Sequence, residues 1–336
     1  MKTSLKALAS SLGLSKTTVS RALNGYDDVS EATRTRVIEA AQALGYHADA
    51  TARKLATGRA NAIAIVYPFA AGDLGDPRFC EVVAGITEGL GDLDLIIVSA
   101  RENAELDTYR RLVDNRVVDG FIVARTLVDD PRIAFLLECD FPFVAYGRTN
   151  SVQPHFWFDF DNEAGAHAAT KRLIDFGHRR IGLIGAPLSL NFASQRREGF
   201  LRALREARIK AVARNVRQGA FDRDTGYQAA LALLDSANPP TAILVDNNLA
   251  GIGALCALRE RRRKPGKDIS LIVYDGVPAD CAIPYTVTAI SQPTGRDSGL
   301  ALAALVIAAI ERRAPPEHRL AVPHIEAGNT DGPPRD

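Results

Sequence analysis

Leu12–Gly25 reads LGLSKTTVSRALNG. Thr17, Thr18 and Ser20 offer short hydroxyls, Asn24 an amide, and Lys16 and Arg21 two long cations. Hydroxyl side chains are poor material for a helix interior, because they compete for backbone hydrogen bonds. On a helix surface the same groups bind phosphate oxygens, and Arg21 and Lys16 have the reach for guanine O6 and N7. This composition suits a helix lying in the DNA major groove.

The elements that must position such a helix are legible on either side of it. Leu5–Ser11, Lys16–Leu23 and Glu31–Leu44 read as three helices with no strand signal between them. Gly13 allows the sharp turn of a helix-turn-helix, and Ser15 caps the second helix. Ser30 caps the third, with Glu31 beside the positive end of its dipole. Leu5, Leu8, Leu12, Leu14, Val19 and Leu23 are expected to face inward. Val37, Ile38, Ala41 and Leu44 form one face of the third helix, which Gly45 closes. Residues 1–60 carry nine Lys/Arg against five Asp/Glu, an excess of four on a chain of net charge +1; the remainder therefore carries −3. A basic module on a mildly acidic body is the footprint of a nucleic-acid reader with a regulatory domain.

Beyond residue 60 the pattern changes. Strand-like runs at Ile63–Tyr67, Asp94–Val98, Gly120–Ala124, Phe143–Tyr146, Ile181–Gly185, Thr241–Val245 and Ile269–Tyr274 alternate with amphipathic stretches such as RREGFLRALREARI. That alternation indicates βαβ units and parallel sheets. Roughly 270 residues of it exceed one comfortable core, which predicts two α/β lobes. Cys80, Cys139, Cys256 and Cys281 lie far apart and suit reduced, buried thiols rather than a disulfide framework or zinc site. The start MKTSLKALASS lacks the pattern of a signal peptide, and no apolar run reaches membrane length, so a cytoplasmic protein without membrane contact is expected.

An enzyme is disfavoured. The nearest dinucleotide fingerprint, Gly251–Cys256, lacks its third glycine and falls inside a helix. The six histidines form neither a nucleophile triad nor a metal-spaced cluster, and His178 reads as a helix-end residue. No cofactor, metal site or catalytic residue is expected.

LKALASSLGLSKTTVSRALNGYDDVSEATRTRVIEAAQALGY, followed by ATARKLATGRANAIAIVYP, resembles the lactose-repressor (LacI/GalR) family of transcriptional regulators. The likeness continues through DNEAGAHAATKRLIDFGHRRIGLIG and ISLIVYDG, nearly the whole chain. The resemblance implies an N-terminal all-α helix-turn-helix domain on a periplasmic-binding-protein-like body of two doubly wound α/β lobes. The expected boundaries are 1–46 for the DNA-binding domain, 47–60 for hinge and linker, and 61–336 for the body. Its N-lobe takes residues 61–160 and 292–321; its C-lobe takes 161–291 and 322–336. By the same likeness, Lys16, Thr17 and Arg21 contact base edges, while Thr18, Ser20 and Asn24 bind phosphates.

Ala50–Thr57 has helical propensity but is too short to hold alone, because helix nucleation is costly. The resemblance implies that it folds only with DNA and a second subunit's hinge, wedging Leu55 into the minor groove. Ala48-Asp49 stands where the family commonly has Pro-Asn; Asp49 can still cap the hinge.

In the body, the positions matching the family's ligand contacts are Arg196, Phe221, Gln292, Asp76 and Phe79. Asn247-Asn248 stands where the family usually has Asn-Asp, so Asn248 offers an amide in place of a carboxylate, with Asp246 as its possible substitute. Arg148 resembles the sugar-responsive branch. Trp157 fits packing under a helix better than stacking on a sugar. The implied function is a repressor of carbohydrate-utilisation genes, released from a palindromic operator by a sugar such as a glucoside. The implied partners are double-stranded operator DNA, that sugar, and a second copy in a homodimer. The alternatives are a corepressor-dependent regulator sensing a purine or other metabolite and, more distantly, an α/β enzyme.

Overall fold

The computed structural model describes residues 4–23, 26–46, 58–67, 77–101, 104–278, 281, 283–312 and 314–335. It divides into two compact units: residues 1–62 with 114–119, and 63–113 with 120–336.

The first unit holds α1 (Leu5–Leu12), α2 (Lys16–Leu23) and α3 (Glu31–Ala43). Two of the three helices start on the predicted hydroxyls. Ser15 accepts from the Thr18 amide at 3.0 Å, and Ser30 from that of Thr33 at 3.4 Å. Gly13 ends α1 at φ 65°, a left-handed conformation that L side chains rarely adopt. The core is Leu8, Ala9, Val19, Ala22, Val29, Val37 and Ala41, with Leu5, Leu12, Leu14 and Leu23 packed against it. The expected inner face of α3 is half wrong. Val37 and Ala41 are buried, but Ile38 and Leu44 are 41% and 44% exposed. Ile38 lies about 100° round the helix from Val37, and three short helices bury only a narrow stripe.

The second unit contains two six-stranded sheets. The N-lobe sheet runs in the order β11 (His318–Ala321), β5 (Phe156–Phe160), β4 (Phe143–Tyr146), β3 (Gly120–Val123), β1 (Ala62–Tyr67), β2 (Asp94–Ser99). The C-lobe sheet runs β12 (His324–Glu326), β10 (Thr288–Ser291), β9 (Ser270–Tyr274), β8 (Ala242–Val245), β6 (Ile181–Gly185), β7 (Val216–Gln218). β12 pairs antiparallel with β10, whereas β6, β7, β8, β9 and β10 pair in parallel. β1, β3, β4, β5 and β11 likewise pair in parallel. The central strands are buried throughout, as parallel sheets covered on both faces require.

Helices α4 (Pro77–Leu90), α5 (Glu105–Asp114) and α6 (Pro131–Glu138) belong to the N-lobe, and α7 (Asn162–Asp175), α8 (Asn191–Glu206), α9 (Arg223–Leu234) and α10 (Asn248–Glu260) to the C-lobe. α11 (Gly295–Glu311) returns to the N-lobe and packs on α4. Gly85 and Gly299 permit that approach; a Cβ on either would run into the other helix's backbone. The chain thus crosses between lobes after β5, after β10 and after β11.

One expectation fails here. The cysteines are not buried: Cys80, Cys139 and Cys256 are exposed and Cys281 is half-buried. Trp157 is half-buried and does not line the ligand cavity. It stacks on His318 of the neighbouring strand, ring centroids 4.6 Å apart. The pleat explains this: Phe156, Phe158 and Phe160 share the core face, which leaves Trp157 on the other.

Candidate functional site

On α2, Lys16, Thr17 and Arg21 are exposed, Thr18 and Ser20 half-buried, and Val19 and Ala22 buried. One face holds the bundle together while the opposite face presents cations and hydroxyls. The Arg21 guanidinium lies 2.7 Å from the Asp28 carboxylate and 5.2 Å from the centre of the Tyr26 ring. Asn24, Leu55 and Asp76, with the hinge around Leu55, lie outside the described residues.

In the second unit, the carboxyl ends of β1, β3, β4 and β5 meet those of β8, β9 and β10 around a cavity of about 230 Å³. Ligands of open α/β sheets bind at such strand ends. Tyr67, Phe79, Tyr146, Phe160, Phe192 and Phe221 supply rings; Arg78, Arg125, Arg196, Asp159 and Asp275 supply charge. Asn162, Asn247, Asn248 and Gln292 add amides. Phe79 sits 5.0 Å from Tyr67, and Phe221 6.1 Å from Phe192, centre to centre.

Arg196 is 5% exposed. Its guanidinium donates to Asn162 Oδ1 at 2.8 Å and to the Asp246 carbonyl. It also lies over the Tyr274 ring at 3.6 Å and the Phe192 ring at 4.7 Å. A desolvated cation between two rings gains about 2 kcal/mol from each good contact. Its orientation is therefore set before any ligand arrives. Burial raises the Tyr274 hydroxyl well above the ordinary phenol range, so it stays protonated and donates to the Asn162 carbonyl at 3.0 Å.

Asn247 is the N-cap of α10, accepting from Ala250 at 2.8 Å and donating to the Ala220 carbonyl at 2.9 Å. Asn248 follows at the first helical position, on the cavity wall. Gln292 lies just beyond β10, and its Nε2 is buried without a protein acceptor. Gly147 also lines the cavity; at φ 117°, with Thr126 Oγ1 against the space a Cβ would take, it must be glycine.

Two of the sequence-derived positions stand behind the wall. Both Asp246 carboxylate oxygens accept from the Ala186 amide, at 3.0 and 2.8 Å, and Oδ1 also accepts from Asn247. Burial pushes this carboxyl up to about 6, against the pull of Arg196 and these hydrogen bonds. Arg148 opens on a separate groove shared with Asn191, Gln195 and Glu198. Its Nε donates to Asp159 at 2.7 Å and its Nη2 to Gln195 at 2.9 Å. Asp159 accepts in turn from Asn162 at 3.1 Å. Arg148 is thereby linked to Arg196 through two side chains.

The sequence pattern of bacterial regulatory proteins of the lacI family matches residues 4–49. That of periplasmic binding proteins and the sugar binding domain of the LacI family matches residues 60–327. The chain belongs to the LacI family. It is 43% identical to the HTH-type transcriptional regulator RafR of Escherichia coli, over 87% of each chain. It superposes on the transcriptional regulator CelR–cellobiose complex with a TM-score of 0.74 at 28% identity, covering 97% of this chain and 99% of that one. On the lac repressor dimer bound to operator and the anti-inducer ONPF, the TM-score is 0.83 at 25% identity, covering 98% and 99%.

As a LacI-family member the protein is a DNA-binding transcriptional regulator and not an enzyme. The two-lobed α/β body and the N-terminal helices have the family's fold. Among the described residues no helix is long and apolar enough to cross a membrane. None of their His, Cys, Asp and Glu side chains cluster so as to hold a metal ion. Motif matching overlooks Arg78, Arg125, Asn162 and Asp275 at the cavity. Arg125 and Asp275 could have been found by one rule, since each lies one or two residues past a strand's carboxyl end.

Proposed function

We propose that the protein is a cytoplasmic repressor of carbohydrate-utilisation genes, released as a dimer from a palindromic operator by a sugar held between its lobes. The observation that carries this reading is the cavity's chemistry. Neutral polyols bind where fixed guanidinium, carboxylate and carboxamide groups converge beside aromatic faces. The wall formed by Arg196, Asp275, Asn248 and Gln292 with Phe79 and Phe221 has that make-up. The solved relative named for its cellobiose complex, and the lac repressor named as a dimer on operator, support the ligand class and the assembly.

In this reading residues 1–46 read DNA, 47–60 form the hinge, and 61–336 sense the sugar. Lys16, Thr17 and Arg21 contact base edges, Thr18, Ser20 and Asn24 contact phosphates, and Leu55 wedges the minor groove. Phe79, Asp76, Arg196, Phe221, Asn248 and Gln292 contact the sugar; Asp246 and Arg148 hold the groups that do. A thermal-shift screen of neutral mono- and disaccharides, with purines and amino acids as contrast, tests it. A sugar at a hundredfold excess over its Kd adds about 2.7 kcal/mol, a rise of roughly 5 °C or more for a body of this size. A response to a purine with none to any sugar would replace the proposal with corepression.

A further inference from the structure

Arg132 is 3% exposed in the N-lobe and takes no part in the cavity wall. Every nitrogen of its guanidinium is committed. Nε donates to Asp130 Oδ1 at 3.0 Å, Nη1 to Glu105 at 2.6 Å, and Nη2 to Asp130 Oδ2 at 2.7 Å. Nη2 also donates to the Arg125 carbonyl at 2.9 Å. Asp130 caps α6 and accepts from the Leu127 amide at 2.9 Å. Burial alone would raise the Asp130 carboxyl, but Arg132 and two amides hold it below its ordinary value, so the pair is ionised.

Arg132 and Asp130 together clamp the turn 125–130, and that turn does two things. It holds Arg125 in a left-handed conformation, φ 51°, with its guanidinium 4.3 Å from the Tyr67 ring and 4.7 Å from the Phe221 ring. Tyr67 belongs to the N-lobe and Phe221 to the C-lobe. The turn also grips the C-lobe backbone. Val128 donates to the Ser189 carbonyl at 2.9 Å, and Asn191 donates to the Thr126 carbonyl at 2.9 Å. A bridge between Leu127 and Leu190 lies between these two bonds. Asn191 begins α8, the helix that carries Phe192 and Arg196 into the cavity.

We propose that Arg132 is a positioning residue for the effector response: through one buried guanidinium it sets both the Arg125 side chain and the hydrogen bonds that fasten the N-lobe to the start of α8. This rests on the sugar-binding reading for its functional consequence, though not for its structural one. An Arg is required because only its planar fork satisfies Asp130, Glu105 and a carbonyl together; a lysine ammonium keeps the charge and loses the fork.

The test is Arg132→Lys in the full chain, with Glu105→Gln as a second variant should the first fail to fold. Hydrogen exchange without DNA or sugar is read at residues 125–130 and, separately, at 187–192 of the other lobe. The expected result is faster exchange in both segments. Faster exchange confined to 125–132 would make Arg132 a local cap and overturn the proposal. Cellobiose is the calorimetric probe. Arg132→Lys should weaken it about tenfold, mid-range for residues in one hydrogen-bond network. Arg125→Ala should weaken it too, and the double variant should lose clearly less than the sum of the two single losses. Additive losses would contradict action through Arg125. If cellobiose fails to bind the unmodified chain, the choice of sugar fails and the exchange result still decides.

Discussion

Asp275 at the tip of β9 lies 2.9 Å from the guanidinium of Arg78 on α4, an ion pair from the C-lobe to the N-lobe in the cavity wall. Asp275 is held at φ 62°, so its carboxylate is aimed by an uncommon backbone conformation. The same carboxylate is an acceptor that a polyol entering the cavity would use. The ion pair between the lobes and the proposed ligand contact therefore meet in one side chain.

Asp275→Asn keeps the shape and removes the charge. It is expected to weaken sugar binding about tenfold or more, the range for a hydrogen bond to a charged group. Calorimetry with the sugar found by thermal shift measures it. An unchanged Kd would remove Asp275 from the ligand's contacts.

Arg196→Ala removes the cation held between Tyr274 and Phe192 and strips Asn162 and the Asp246 carbonyl of their donor. Sugar-induced release should be lost while operator affinity without sugar stays near that of the parent chain. Release curves by fluorescence anisotropy check this, and retained release would remove Arg196 from the site.

Arg21→Ala should weaken operator binding by about 1–3 kcal/mol and relax preference at one base step, leaving the sugar Kd unchanged. Uniform weakening across sequences, with a salt slope smaller by about one, would reassign Arg21 to a phosphate.

Around Arg21 the local sequence specifies most of the structure. Cap, turn and the exposed face of α2 follow from local spacing, and all are visible in LGLSKTTVSRALNG. Most central strands are visible as buried apolar runs such as GFIV and AILV, but interior β10 (TAIS) is not, because a polar residue at each end leaves only two apolar ones. The edge strands β7 (VRQ), β11 (HRLA) and β12 (HIE) are not, because three or four half-exposed residues carry no alternation strong enough to read. Arg148 and Asp246 stand out by type and position, yet neither side chain lines the cavity. Their partners, Asp159 and Gln195 for one and Ala186 for the other, lie 11 to 60 residues away, where pattern cannot reach. Arg132 has two near partners, Asp130 and Arg125, but its link to Glu105, 27 residues away, and its burial leave no mark in the local pattern.

Acid should loosen the C-lobe through His178. The ring is buried, with Nδ1 2.9 Å from Thr241 Oγ1 and Nε2 2.9 Å from the Gly332 carbonyl, which ties the C-terminal segment to the sheet. Burial lowers its pKa below the ordinary 6.5, outweighing the bond to Gly332, and burial lowers that of His155 in the N-lobe as well. A depressed histidine means the unfolded chain takes up protons that the folded one refuses. Stability is therefore full above pH 6.5 and declines as pH falls through 6.5 toward the lower folded values. Asp246 works in the opposite sense. Its raised carboxyl is a burden above pH 6 that is relieved between about 6 and 3.8. The Tm should thus fall between pH 7.5 and 6, and His178→Gln should flatten that fall. An identical slope in the variant would show that His178 does not carry it.

In the proposed function a sugar in the cavity releases a dimer from DNA. The most direct test is anisotropy of a palindromic duplex, selected by the protein from random sequence, titrated with the full chain in the presence and absence of each neutral sugar. Two chains should bind per duplex, and one sugar should raise the apparent Kd by about tenfold or more, within the usual range of allosteric coupling. If every sugar leaves the Kd unchanged, or a purine lowers it, the account is contradicted.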